Sequence, residues 1–304
     1  MKQNELKNQD GLTESEFLQQ YDPSSYQRPS VTVDMLIFTV TDEERANYRK
    51  LSEKTLKLLL IKRGDHPDMG QWALPGGFVR FKESVEEAAL RELREETNID
   101  QVYMEQLYTW GDVNRDPRTR VISCSYMALV DRGSLNVQAG DDAVDAGWFG
   151  VEYEVVQEQR QLIADGLRRE KLVKITLSHE TVQLSALVKL VEIREGRVCK
   201  VEREILESRG IGFDHAKIIE YAIERLRNKL EYTDIVFNLM PEAFTLSELQ
   251  QVYEVILGRP LLAAAFRRKI APMVEETKRF TKNAGHRPSR FYRFNPLWLS
   301  REQE

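Results

Sequence analysis

Glu83, Arg91, Glu92, Glu95 and Glu96 fall in a stretch that reads LPGGFVRFKESVEEAALRELREETNI from Leu74 to Ile99. Four carboxylates and a guanidinium at this spacing are suited to holding a divalent cation against a phosphate chain. Pro75-Gly76-Gly77 makes a tight turn in which backbone can come close to a ligand. Ser84 and Glu87 form an S-x-x-E capping box, which predicts a helix from Val85. At about 100° per residue, Val85, Ala88 and Ala89 share one face, and Glu92, Glu95 and Glu96 continue that stripe. Carboxylates standing where apolar residues belong repel one another and hold their protons unless a cation joins them. Mg²⁺ is a hard cation that takes carboxylate oxygens and bridges to phosphates, with Mn²⁺ as an alternative. Arg91, one turn before Glu95, can pair with and orient it. Three glutamates alone would equally suit a solvated acidic face. The glycine turn, Glu83 and Arg91 at fixed offsets argue against that reading.

The elements that must position these residues follow from periodicity. Residues 1–29 read as a polar arm with a short helix from Thr13. Strands are expected from Ser30 through Val40, at Leu56–Ile61, Val102–Trp110, Val121–Val130 and Lys171–Leu177, where β-branched and aromatic residues concentrate. A helix is expected over Asp214–Lys229, with Asp214 as its cap. The fold class is therefore α+β, with a domain boundary near Tyr232.

The acidic segment resembles the Nudix box, G-x5-E-x7-R-E-U-x-E-E-x-G-U, where U is a bulky aliphatic. Gly77, Glu83, Arg91, Glu92, Leu93, Glu95, Glu96 and Ile99 match in register. Asn98 replaces the last glycine, and asparagine tolerates the left-handed conformation better than other non-glycine residues. The resemblance implies a mixed sheet sandwiched between helices over residues 30–231, and hydrolysis of a nucleoside diphosphate linked to a second group. Glu92, Glu95 and Glu96, with Gly76, would hold the metal, and Arg91 would complete the catalytic set. Glu92, Asp141 and Asp142 remain alternatives for the general base.

Arg115-Asp116-Pro117-Arg118 is expected in a loop between two strands, where two guanidiniums suit fork-shaped hydrogen bonds to phosphate. Arg80, after the glycine turn, is a third candidate. The loop looks like that of ADP-ribose-handling Nudix proteins, which implies ADP-ribose as the ligand. His66, His179 and His215 are isolated in sequence and read as structural or surface residues.

The C-terminal residues 232–304 have a different texture. Thr245 and Glu248 form a second capping box, opening a helix with Leu249, Val252, Tyr253, Ile256 and Leu257 on one face, and Gly258 ends it. Leu261–Ile270 reads as a second helix and Thr277–Phe294 as a hairpin with a polar tip at 282–288. That order is the order of a winged helix-turn-helix. Between Arg259 and Arg293 stand ten lysines and arginines against Glu275 and Glu276, the footprint of a phosphate-backbone binder. Arg267, Arg268 and Lys269 on the second helix, and Lys282, Arg287 and Arg290 on the wing, are the candidate contacts to double-stranded DNA. A helical appendage for dimerisation is the alternative. The runs FRRKIAP and GHRPSRFYRF resemble the DNA-binding domain of Nudix-related transcriptional regulators, with Pro272 expected to end the recognition helix early.

Over the 304 residues the net charge is −5, so nucleic-acid binding is a property of one segment, not of the whole chain. Cys124 and Cys199 have no CxxC partner and are expected to be free, buried thiols in a reducing compartment. No apolar run has the length of a membrane span, and the polar start has no signal-peptide core, so a cytoplasmic protein is expected. The combined expectation is a Mg²⁺-dependent hydrolase converting ADP-ribose to AMP and ribose 5-phosphate, fused to a DNA-binding domain and assembled as a homodimer. An ADP-ribose-responsive regulator with little or no hydrolysis is the second reading.

Overall fold

The computed structural model describes residues 6–43, 53–99, 102–131, 143–281 and 288–298. The arm carries helix α1 (Glu14–Gln20), opened by a Thr13–Glu16 capping box and burying none of its residues. The chain then enters a ten-stranded sheet of β1 (Ser30–Glu43), β2 (Glu53–Arg63), β3 (Trp72–Ala73), β4 (Gly76–Phe78), β5 (Tyr103–Trp110), β6 (Val121–Leu129), β7 (Ala143–Ile163), β8 (Gly166–His179), β9 (Val182–Glu195) and β10 (Val198–Arg209). Its order is β10-β9-β8-β7-β2-β1-β6-β5, with β3 on β2 and β4 on β1. β1 and β6 run parallel while the named neighbours elsewhere run antiparallel, so the sheet is mixed.

Period-two alternation feeds two cores. From β1, Val33, Met35 and Ile37 point to one side, where they meet Ala88, Ala89 and Leu93 of helix α2 (Val85–Thr97). Leu36, Phe38 and Val40 point to the other, where they join Ile218, Ile219, Ala222, Ile223 and Leu226 of helix α3 (His215–Lys229). The sheet is thus sandwiched between helices, as the resemblance implied. The stretch beyond Lys171 proves to be the later part of a continuous antiparallel meander, β7 to β10, whose outer strand β10 is largely exposed.

After α3 come a 3-10 turn (Ile235–Leu239), β11 (Phe244–Thr245), α4 (Leu246–Leu257), α5 (Ala263–Ile270), β12 (Val274–Phe280) and β13 (Arg290–Phe294). The last strands form a three-stranded sheet ordered β11-β13-β12. This is the winged helix-turn-helix order, with the hairpin starting at Val274, three residues before the sequence indicated. The larger apolar core runs from the main sheet through α3 into Leu249, Val252, Tyr253 and Ile256 of α4.

Both capping boxes form. Ser84 accepts from the Glu87 N–H and Thr245 from the Glu248 N–H, and each glutamate answers to the cap backbone. Asn98 closes α2 at φ 56° and Gly258 closes α4 at φ 68°. Asp214 departs from expectation. It stands at the α3 N-cap position but its side chain makes no cap hydrogen bond, because Arg115 takes both of its oxygens. Of the cysteines, Cys124 is buried and Cys199 is exposed, both free. The exposure of Cys199 corrects the expectation of two buried thiols, and follows from its place on outer strand β10.

Candidate functional site

The acidic helix is organised around one guanidinium. Arg91 donates from Nε and Nη2 to the two oxygens of Glu83 at 3.1 and 2.9 Å. Its Nη1 reaches Glu92 Oε1 at 2.6 Å and Glu95 Oε2 at 3.2 Å. Glu83 also accepts from the Arg80 N–H, and the Arg91 bonds with that N–H hold its carboxyl down at about 2. Glu92 behaves oppositely. Burial in the stripe beneath the sheet pushes its carboxyl up, and Arg91 only partly offsets this. Glu96 is buried with it, whereas Glu95 sits at the rim, its outer oxygen 3.7 Å from Arg80 Nη2.

Gly77 explains why a glycine precedes this helix. A Cβ there would stand 2.3 Å from Glu92 Oε1, and one at Gly76 would stand 2.1 Å from the Val33 carbonyl oxygen. The backbone therefore lies directly on the carboxylate. The donors are hard oxygens of the kind Mg²⁺ takes, yet among the described residues no three acidic, histidine or cysteine side chains converge to hold a metal ion. Glu92 and Glu95 are held by Arg91 instead. Asp141 and Asp142, the other general-base candidates, lie outside the described residues.

On the other side of the Gly76-Gly77 strand opens a cavity of about 240 Å³. Thr32 and Asp34 of β1, His66, Phe78, Arg118 and Phe213 are among its walls. Arg115 also lines it, but its guanidinium is only 5 % exposed and is held 2.8 Å from Asp214 Oδ1 and 3.4 Å from Asp34 Oδ2. Burial opposes its charge, and the two aspartates outweigh that and raise its pKa. Arg118 is the more accessible fork. It is braced by Asp116 at 2.7 Å and lies 5.4 Å from the Phe78 ring centroid. Arg80 faces Glu95 and is not among the cavity's walls.

His215, read from sequence as structural or surface, is a fully buried wall of this cavity. Its Nδ1 accepts the Leu74 N–H at 2.9 Å, which fixes the chain just before the glycine turn, and burial lowers its pKa. Phe213, at φ 52°, donates its N–H to Asp68 and stacks under Arg63. Beside the Arg115–Arg118 loop, Asp34 was a further signal the sequence offered for this pocket: a carboxylate inside the apolar run VTVDMLIF has to find buried partners.

In the winged domain, Arg267 and Arg268 project from α5 into solvent with no ion pair among the described residues. Lys269, one residue on, instead donates to the Leu230 carbonyl at 3.1 Å and lies near Glu231. Arg290 pairs with Glu276 and covers the Phe280 ring. Lys282 and Arg287 lie outside the described residues. α5 does stop at Ile270, and Pro272 continues into a 3-10 turn.

Comparison with known proteins agrees with this two-part architecture. Residues 32–166 match the NUDIX domain and residues 236–294 match the NrtR DNA-binding winged helix domain. Over 93 % of this chain and 88 % of the relative, the sequence is 33 % identical to a protein of Acinetobacter baylyi described as "ADPR responsive transcriptional repressor NtrR". The chain belongs to the NrtR family of Nudix proteins. Within that family, NrtR of Shewanella oneidensis, solved in complex with a 27mer DNA, superposes with a TM-score of 0.58 at 28 % identity, over 89 % of this chain and 95 % of that one. The Nudix half is also similar to an ADP-ribose pyrophosphatase of Methanocaldococcus jannaschii, 37 % identical over 47 % of this chain and 76 % of the relative. Among the described residues, no helix of this NrtR-family chain is long and apolar enough to cross a membrane.

Proposed function

We propose that the chain is an ADP-ribose-responsive transcriptional repressor, a homodimer acting in the cytoplasm, whose Nudix domain over residues 30–231 binds the ligand and whose residues 232–304 bind DNA. The observation that carries this reading is the state of the arginines. At the ligand cavity Arg115 and Arg118 are tied to carboxylates and Arg63 is held by backbone carbonyls and the Phe213 ring, while Arg267 and Arg268 on α5 stand exposed for phosphate. Two half-sites on DNA suit a two-fold protein. The full-length similarity to a repressor supports the same choice.

In this reading one end of ADP-ribose enters the cavity beside Gly76 and Gly77. At about 240 Å³ it is smaller than the roughly 300–1,000 Å³ common for drug-sized ligands, so it takes part of an elongated ligand and leaves the rest along the glycine turn. Arg118 supplies the fork for a phosphate, and Arg80 guards the outer end beside Glu95.

Hydrolysis is a second reading, favoured by the presence of Glu83, Glu92, Glu95 and Glu96 together. Glu92, Glu95 and Glu96, with the Gly76 carbonyl, would hold Mg²⁺ or Mn²⁺. A cation there would polarise the pyrophosphate and activate water. For that, Arg91 has to release Glu92 and Glu95. A repressor that also destroys its effector would reset its own switch.

The test separates the readings. Calorimetric titration of ADP-ribose without metal should show saturable binding. Incubation with Mg²⁺ should be followed for AMP, with Glu95→Gln as control. Binding without AMP supports a sensor alone. AMP that disappears in Glu95→Gln adds the hydrolase to it. No binding at millimolar ADP-ribose would sink the proposal.

A further inference from the structure

Helix α3 touches the ligand cavity with one end and the DNA-binding domain with the other. At its start, Phe213 and His215 are cavity walls, His215 fixes the Leu74 N–H, and Asp214 binds Arg115 through two hydrogen bonds of 3.2 and 2.8 Å. Twelve residues along the helix from His215, about 18 Å at 1.5 Å per residue, Arg227 donates from Nε to the Ile256 carbonyl at 2.7 Å. That carbonyl belongs to the last turn of α4, where unpaired carbonyls and the negative end of the helix dipole favour a cation. Gly258, which closes α4, leaves the room: a Cβ there would stand 2.8 Å from Arg227 Nη2.

Arg227 is an unusual cation. It is largely buried, yet no carboxylate pairs with it among the described residues, and its second support is the Tyr153 ring at 4.4 Å. Tyr153 in turn donates to Glu220, which is fully buried and bound by Arg203 of β10. Arg203 also reaches Glu224, which takes Lys171 of β8. The far half of α3 is therefore locked to the sheet by a polar network, and Arg227 carries that network on to α4 beside the apolar contacts between the two helices. A largely buried cation that feels Glu224 only through space, without a direct ion pair, is costly, and a site that keeps one gains a fixed geometry.

We propose that α3 is the strut by which the cavity's ligand controls the winged domain, and that Arg227 is the positioning residue joining the strut to α4. This rests on the repressor reading above. A ligand phosphate in the cavity competes with Asp214 for the guanidinium of Arg115, the start of α3 is released, and the displacement passes along a rigid helix to α4 and the α5 that follows it.

The experiment is a thermodynamic cycle on the full chain. The dissociation constant for a DNA duplex selected from a random pool by the wild-type protein is measured with and without saturating ADP-ribose, in EDTA. The wild-type ratio should be about 10-fold, within the usual range of allosteric coupling. Arg227→Met should bind ADP-ribose alone and DNA alone within about 3-fold of wild type, with the ratio falling towards 1. Arg227→Lys keeps the stem and charge but loses the Nε donor, is the variant most certain to fold, and should keep only part of the ratio. A wild-type ratio retained in both variants overturns the strut. A wild-type ratio of 1 with ADP-ribose still bound would instead overturn the repressor reading, and the strut with it.

Discussion

Two arginines of the Nudix domain, Arg115 at the cavity and Arg91 on the acidic helix, and two of α5 are the same residue type in opposite circumstances. Arg115 is buried between Asp34 and Asp214, and Arg91 gathers three carboxylates, so both hold the fold's charges in place. Arg267 and Arg268 have no such partners among the described residues and face solvent. A guanidinium buried among carboxylates fixes geometry, and an exposed one without a partner is open to a phosphate; Arg118, paired with Asp116 but 42 % exposed, stands between the two. The charge count of a segment does not reveal which is which. Lys269 makes the point within a single helix: adjacent to Arg268 in sequence, it is turned to the Leu230 carbonyl at the junction with α3.

The largest effect is expected at Arg115. Its removal by Arg115→Ala leaves two buried carboxylates uncompensated, and stability should fall by about 3–5 kcal/mol, read from urea unfolding. A loss under about 1 kcal/mol would mean that the network relaxes into water and that the pairing carries little. Next come Arg267→Ala and Arg268→Ala. Each should leave stability within about 0.5 kcal/mol while lowering the salt dependence of DNA binding by about one counter-ion. Unchanged salt slopes in both would move the DNA interface off α5.

Glu83 and Glu92 sharpen the account inside the acidic helix, because one guanidinium serves both with opposite outcomes. Glu83 is held at about 2, below its ordinary 4.5. A depressed acid stabilises the fold above its unfolded value and loses that contribution as pH falls from there towards 2. Glu92 is raised by burial. Its contribution is complete below its unfolded value and is lost as pH rises through the higher folded one. Melting curves should therefore show Glu83→Gln most harmful at neutral pH. Glu92→Gln should be better tolerated at pH 7.5 than at pH 4. The reverse order at either position would contradict the assignment. The smallest effect is expected from Lys269→Ala, whose DNA salt slope should stay closer to wild type than that of Arg267→Ala.

Local chemistry was the legible part of this sequence. The capping boxes at Ser84 and Thr245, the left-handed Asn98 and Gly258, and the alternation along β1 each depend on residues a few positions apart, and each formed as read. The acidic helix was legible for the same reason. β7 was not seen as a strand, because beyond Gly150 it is largely exposed and its polar residues hide the period-two pattern. The cavity was legible only in fragments. His215 reaches Leu74 and Asp214 reaches Arg115 across about a hundred residues or more of chain, and no local rule joins them. Asp214 was read as a cap because its neighbourhood fits one; a distant guanidinium outbid the helix N–H groups.

The most direct test of the account is the affinity of the intact chain for its selected duplex, followed by fluorescence anisotropy in EDTA as ADP-ribose is added. The DNA dissociation constant should rise by about 10-fold and level off as the ligand site saturates. A dissociation constant that stays constant through saturation would contradict it, and would leave the Nudix and winged domains as two functions sharing one chain.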